Sequence, residues 1–92
     1  MKPEMSSRPR LAPGCRLNDK NKPPRMLLMP KRALRLSGPS LEIVERCDGS
    51  HTVEQIISEL QQIYSKAEPG KVEQDILGYL ELLNTQRALD FE

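Results

Sequence analysis

Residues Leu36–Ile57 read LSGPSLEIVERCDGSHTVEQII, and these 22 residues decide the fold. They contain the end of a strand, the start and stop of one helix, and the start of another. Ser37 is expected to cap the first helix. Pro39 suits its first turn, where backbone N–H groups lack intrahelical partners anyway. Asp48-Gly49 is the expected stop, since glycine enters the left-handed conformation without a Cβ clash. Thr52 and Gln55 have the spacing of a capping box and start the second helix.

Upstream of this stretch, apolar residues alternate in short runs. Cys15-Arg16-Leu17 begins a strand, Asn18 to Pro24 is a polar turn, and Arg25 to Met29 is a second strand stopped by Pro30. From Lys31 to Leu36, Leu34 and Leu36 share one face while Ala33 and Arg35 share the other, the period of a third strand. Downstream the period becomes helical. Leu41, Val44 and Cys47 mark a short first helix, and Val53, Ile56, Ile57, Leu60, Ile63 and Tyr64 mark a second. Val72, Ile76, Tyr79, Leu80 and Leu83 mark a third, starting near Pro69-Gly70. Leu77 and Leu82 lie off that stripe, and Gly78 suggests close approach of another backbone. The expected class is α+β, winged-helix-like, with a three-stranded antiparallel sheet followed by a three-helix bundle. Residues 1–7 are expected to form a disordered tail, and residues 8–92 a single domain.

A chain of 92 residues buries roughly 60–65% of the surface its unfolded form exposes, which leaves no room for a deep cleft. No apolar run approaches the length of a membrane span or a signal segment, so a cytoplasmic location and no membrane partner are expected. Cys15 and Cys47 are too few and too far apart for a disulfide framework or a zinc knuckle, and both read as free thiols, Cys47 buried. His51 is the sole histidine. With no nucleophile–base pair, metal-ligand spacing or glycine-rich phosphate loop, the sequence points away from an enzyme and away from a cofactor or metal.

The net charge of +1 conceals a division: residues 1–36 carry +8 and residues 37–92 carry −7. This balance weighs against a winged-helix DNA-binding regulator, the main alternative function. Its recognition helix would have to be basic, whereas these helices carry Glu42, Glu45, Glu54, Glu59, Glu73, Asp75 and Glu81. Strand addition is the other option: the third strand would be exposed at a sheet edge and could pair with an extended peptide, with the third helix as the opposite wall. The plain alternative is an edge guarded by Lys31, Arg32 and Arg35, with Leu77 and Leu82 completing the core. Pattern alone leaves the two open.

Three segments carry a resemblance: PRLAPGCRL, LLMPKRALRLSGPSLEIVERCDGSHTVEQIISEL and VEQDILGYLELL. Together they resemble the PqqD family over roughly Pro9 to Leu89. The resemblance implies a peptide-recognition element that binds the ribosomally made precursor PqqA. It also implies that the peptide is presented to the radical S-adenosylmethionine enzyme PqqE in pyrroloquinoline quinone biosynthesis. It further implies that the peptide adds a strand to the third β-strand and lies against the third helix. Carried over, that means Lys31, Arg32, Ala33, Leu34, Arg35 and Leu36, together with Val72, Ile76, Tyr79 and Leu83. An unpaired edge and the Pro23-Pro24 turn also suggest a homodimer by strand exchange, competing with peptide.

Overall fold

The computed structural model describes residues 3–92. Five strands and three helices follow in chain order: β1 (Pro9–Leu11), β2 (Arg16–Leu17), β3 (Met26–Met29), β4 (Arg32–Arg35), α1 (Pro39–Glu45), α2 (Val53–Ile63), α3 (Pro69–Thr85) and β5 (Leu89–Phe91). Strands β2, β3 and β4 form an antiparallel meander in that spatial order, matching the three strands expected. The expected α+β class holds.

A second, two-stranded sheet was not expected. Strand β1 pairs antiparallel with β5, with Arg10 opposite Asp90. On its other side β1 meets the segment after α1, where Leu11 N–H donates to Cys47 O and Gly49 N–H donates to Pro9 O. Each of these strands is only three residues long, too short for a period-two pattern to stand out in sequence. Of the expected disordered tail, Met1 and Lys2 lie outside the described residues. Ser7 O and Met5 O accept hydrogen bonds from Val53 N–H and Glu54 N–H, two donors of the first turn of α2 that have no partner within the helix.

Cap chemistry bears out one helix start and corrects another. At α2 the Thr52 hydroxyl accepts from Gln55 N–H at 3.1 Å, and the Gln55 side chain accepts from Thr52 N–H at 2.8 Å. At α1 the cap is Gly38, not Ser37, and its φ of 55° is one that glycine adopts at little cost. No described side chain caps the N–H groups of α1; the Ser40 hydroxyl instead donates to Ser37 O and accepts from Ser37 N–H, bracing the turn into the helix. Helix α1 also ends earlier than Asp48-Gly49, at Glu45, because Asp48 leaves the helix to form a bridge with Arg10. Gly49 still adopts the left-handed conformation, at φ 81°.

The core lies between the meander and the helices. Leu27, Leu36, Val44, Val53, Ile56, Leu60, Ile76, Leu80, Leu83 and Leu89 are all buried there, along with Cys47. Ile63, expected on the buried stripe of α2, is 49% exposed because the helix ends at that residue. No backbone approaches Gly78: a Cβ placed there would meet no atom within 4 Å, so the close contact suggested by sequence is absent.

These two positions predict shifts of opposite sign in urea-denaturation midpoint. Thr52→Ala removes a satisfied cap and should destabilise the protein by about 1 kcal/mol. Gly78→Ala lowers the entropy of the unfolded chain without a clash and should stabilise it by about 0.5–1 kcal/mol.

Candidate functional site

Among the described residues strand β4 has one neighbour, β3. Its register against β3 pairs Met26 with Arg35, Leu27 with Leu34, Leu28 with Ala33 and Met29 with Arg32. Leu36 N–H donates to Arg25 O at 2.9 Å, which marks that pair as a hydrogen-bonded one. Antiparallel ladders alternate, so Leu34 and Arg32 also direct their backbone groups toward β3. The N–H and C=O of Ala33 and Arg35 therefore point away from the sheet, along an open edge. Among the described residues neither makes a backbone hydrogen bond to a turn, loop or cap.

The same register sorts the side chains. Leu17, Leu27 and Leu34 form one row on the face toward the core, and Met29 and Arg32 form the next, which Cys15, one residue before β2 and lining the same cleft, continues. Leu36 continues the face at the other end and is 3% exposed. Ala33 and Arg35 lie on the opposite face, both exposed.

Helix α3 and the turn after it meet the segments that flank β4. The Tyr79 hydroxyl contacts Ser40, whose own hydroxyl bonds to Ser37, just after β4. Burial pushes the Tyr79 phenol above its usual pKa, with a smaller contribution from nearby Cys47, while the Ser40 contact opposes the shift. At the far end Gln86 and Arg87 share a cleft with Lys31 and Arg32. Between these points α3 presents Leu82, 48% exposed, on a face adjoining Tyr79 and Gln86.

The residues singled out from sequence thus divide by position. Lys31, Arg32, Ala33 and Arg35 are exposed along β4, and Leu34, Val72 and Tyr79 are half-buried. Ile76 and Leu83, 1% and 0% exposed, belong to the core and lie beneath the surface of α3. Val72 lines a separate apolar cavity of about 140 Å³ with Pro39, Ile43, Leu60, Tyr64 and Asp75, at the opposite end of α3 from Arg87.

Sequence reading missed a chain of polar contacts that joins α1 to α2. Arg46 donates to Glu42 at 2.7 Å and to Glu59 at 2.9 Å, and His51 lies 3.0 Å from Asp48 and 3.5 Å from Glu59. Burial draws the Asp48 carboxyl upward, but hydrogen bonds from the His51 ring and from Ser50 and His51 N–H outweigh it and hold the pKa low. These contacts are partly solvated and brace the helix pair. Among the described residues no group of three metal-ligating side chains comes together, and no helix is long and apolar enough to cross a membrane.

The fold and site define a small α+β domain with an unpaired strand edge bordered by a helix. Known proteins share this architecture and sequence. The family described as Coenzyme PQQ synthesis protein D (PqqD) matches residues 25–89. A PqqA binding protein of Xanthomonas axonopodis pv. citri is 32% identical over 84 residues, covering 90% of each chain. The bifunctional coenzyme PQQ synthesis protein C/D of Methylorubrum extorquens is 37% identical over 83 residues, 89% of this chain. The chain spans 22% of that fused relative's length. The solution NMR structure of the PqqD truncation of Methylobacterium extorquens PqqCD is described as a functional, stand-alone recognition element for ribosomally synthesised and post-translationally modified peptides. It matches with a TM-score of 0.69 at 37% identity, over 89% of this chain and 87% of that one. The chain belongs to the PqqD family.

Burial pushes the Cys47 thiol up to about 12, with the Asp48 charge adding to the effect, and the Sγ donates to Ile43 O at 3.3 Å. A thiol reagent at pH 8 is therefore expected to label the half-exposed Cys15 and to leave Cys47 unmodified until the protein is unfolded. Labelling of both thiols at equal rates in the native protein would contradict this placement.

Proposed function

We propose that this chain is a peptide-recognition protein of pyrroloquinoline quinone biosynthesis. In this reading it binds the precursor PqqA as an added strand on β4 and presents it to the radical S-adenosylmethionine enzyme PqqE. The observation that carries this reading is the open edge: two alternate residues of β4, Ala33 and Arg35, have backbone groups unpaired among the described residues, near a helix with exposed apolar surface. Family membership supports it, as does the description of relatives as PqqA binding proteins. The peptide's backbone would supply the missing ladder, and alternate side chains would turn inward toward Leu34, Tyr79 and Leu82. Val72 sits further along α3, and Ile76 and Leu83 serve by holding the wall in place from beneath.

In this reading the protein binds and positions and carries out no catalysis. The peptide leaves with its reactive residues free, for an enzyme to modify. The winged-helix-like order of elements invites a DNA-binding alternative. The helices that would have to approach phosphate carry the acidic half of the molecule, which opposes that contact. The open edge is also where a second copy of the chain would pair, so a strand-exchanged homodimer and the peptide complex would compete.

Ala33→Pro tests the strand-addition step. Proline deletes the outward N–H and places a ring against the incoming strand, while the bonds from Leu34 to β3 are left in place. Affinity for synthetic PqqA, measured by titration calorimetry, should fall at least tenfold, about 1.4 kcal/mol, with the helical circular dichroism unchanged. Unchanged affinity in the folded variant would rule out pairing through Ala33.

A further inference from the structure

A cleft of about 450 Å³ opens at the hairpin end of β4. Its floor is the last inner-face row of the sheet, Cys15–Met29–Arg32, flanked by Pro13 and Pro30, and the end of α3 closes it with Gln86 and Arg87. Three cations line it: Lys31, Arg32 and Arg87. No carboxylate lines it, and none of the three forms an ion pair or donates a side-chain hydrogen bond among the described residues. Elsewhere the arginines Arg10 and Arg46 have found acidic partners. Arg87 also keeps a side chain at a φ of 61°, a conformation that favours glycine.

We propose that this cleft receives a carboxylate side chain of the bound peptide, so that Lys31, Arg32 and Arg87 select an acidic residue at one register position. The inference rests on strand addition at β4, and the register supplies its content. A strand laid along the open edge extends each row of the sheet by one residue. The residue opposite Arg32 prolongs the row Cys15–Met29–Arg32 and turns its side chain inward, toward the cleft. Two positions along the peptide, the next inward side chain prolongs the row Leu17–Leu27–Leu34, where the neighbours are apolar. The recognised segment therefore has an Asp or Glu separated by one residue from an apolar side chain. Guanidinium groups suit the acidic position, because two parallel N–H donors match the two carboxylate oxygens.

The test uses synthetic PqqA in which each Asp and Glu is replaced in turn by its amide, titrated against native protein, Arg32→Gln and Arg87→Gly. Glycine at position 87 keeps the observed backbone conformation while removing the charge, and Arg32 is exposed, so both variants should fold, as circular dichroism will check. One amide replacement should weaken binding to native protein at least tenfold, more so at low salt, and should cause less than a threefold loss against either variant. If no single replacement weakens binding, or if one weakens binding to native and variant protein equally, the carboxylate assignment is wrong. A peptide amidated at its C-terminus should bind like the parent; a loss there alone would assign the cleft to a chain terminus and overturn the side-chain proposal. Ala33→Pro separates the two levels. Weakened binding by that variant with no charge effect sinks only the cleft proposal. Intact binding, or no binding of PqqA to native protein, sinks the strand-addition reading as well.

Discussion

Among the described residues strand β4 is held from one side only, and the phase of that pairing determines which backbone groups lie along its edge. The two-residue turn at Pro30-Lys31 sets the register at one end, and the hydrogen bond from Leu36 N–H to Arg25 O holds it at the other. A shift of one residue would turn Leu34 and Leu36 to the outer face and bring Ala33 and Arg35 against the core. With Leu36 buried among the helices, that slip is costly, so the unpaired groups of Ala33 and Arg35 are fixed in place without any contact of their own. On the strand-addition proposal this edge would be preorganised for an incoming backbone, since the core already meets the ordering cost.

The rest of the molecule holds helix α3 in place. Helix α3 is anchored by Ile76, Leu80 and Leu83 in the core, by Tyr79 against Ser40, and by the β1–β5 ribbon that follows it. Asn84 donates to Leu89 O at 2.8 Å, closing the turn between α3 and β5. Because β1 also pairs with the segment after α1, the first and last strands lock the helical layer from both ends of the chain. Lys31 and Arg32 from the basic first half and Arg87 from the second gather at the hairpin end of β4, in a cleft that no carboxylate lines among the described residues.

Much of this was legible in the sequence because it rests on local patterns. The period-two run ending at Leu36 gave the strand, and the spacing of Thr52 and Gln55 gave the second helix its start. The three-residue strands β1 and β5 were not legible, since their partners lie about 80 residues apart and neither carries enough alternation to be noticed. The start of α1 differs from the expected one because the chain turns at Gly38, whose positive φ places the cap one residue after Ser37, with the Ser40 hydroxyl bonded back to the Ser37 backbone. Sequence periodicity placed Ile76 and Leu83 on the same stripe as Tyr79, but it could not separate the buried side of that stripe from the half-exposed side. Arg87 carried no signal at all, because its neighbours in the cleft come from the distant hairpin.

Amide hydrogen exchange resolved by residue across the β3–β4 hairpin, with and without saturating PqqA, tests strand addition most directly. In the free protein the amides of Leu34 and Leu36, which face β3, should be protected, while those of Ala33 and Arg35 exchange fast. Bound peptide should slow Ala33 and Arg35 selectively and leave the Leu34 and Leu36 pattern in place. If Ala33 and Arg35 still exchange fast in the saturated complex, the peptide does not pair with β4, and the account given for this edge is wrong.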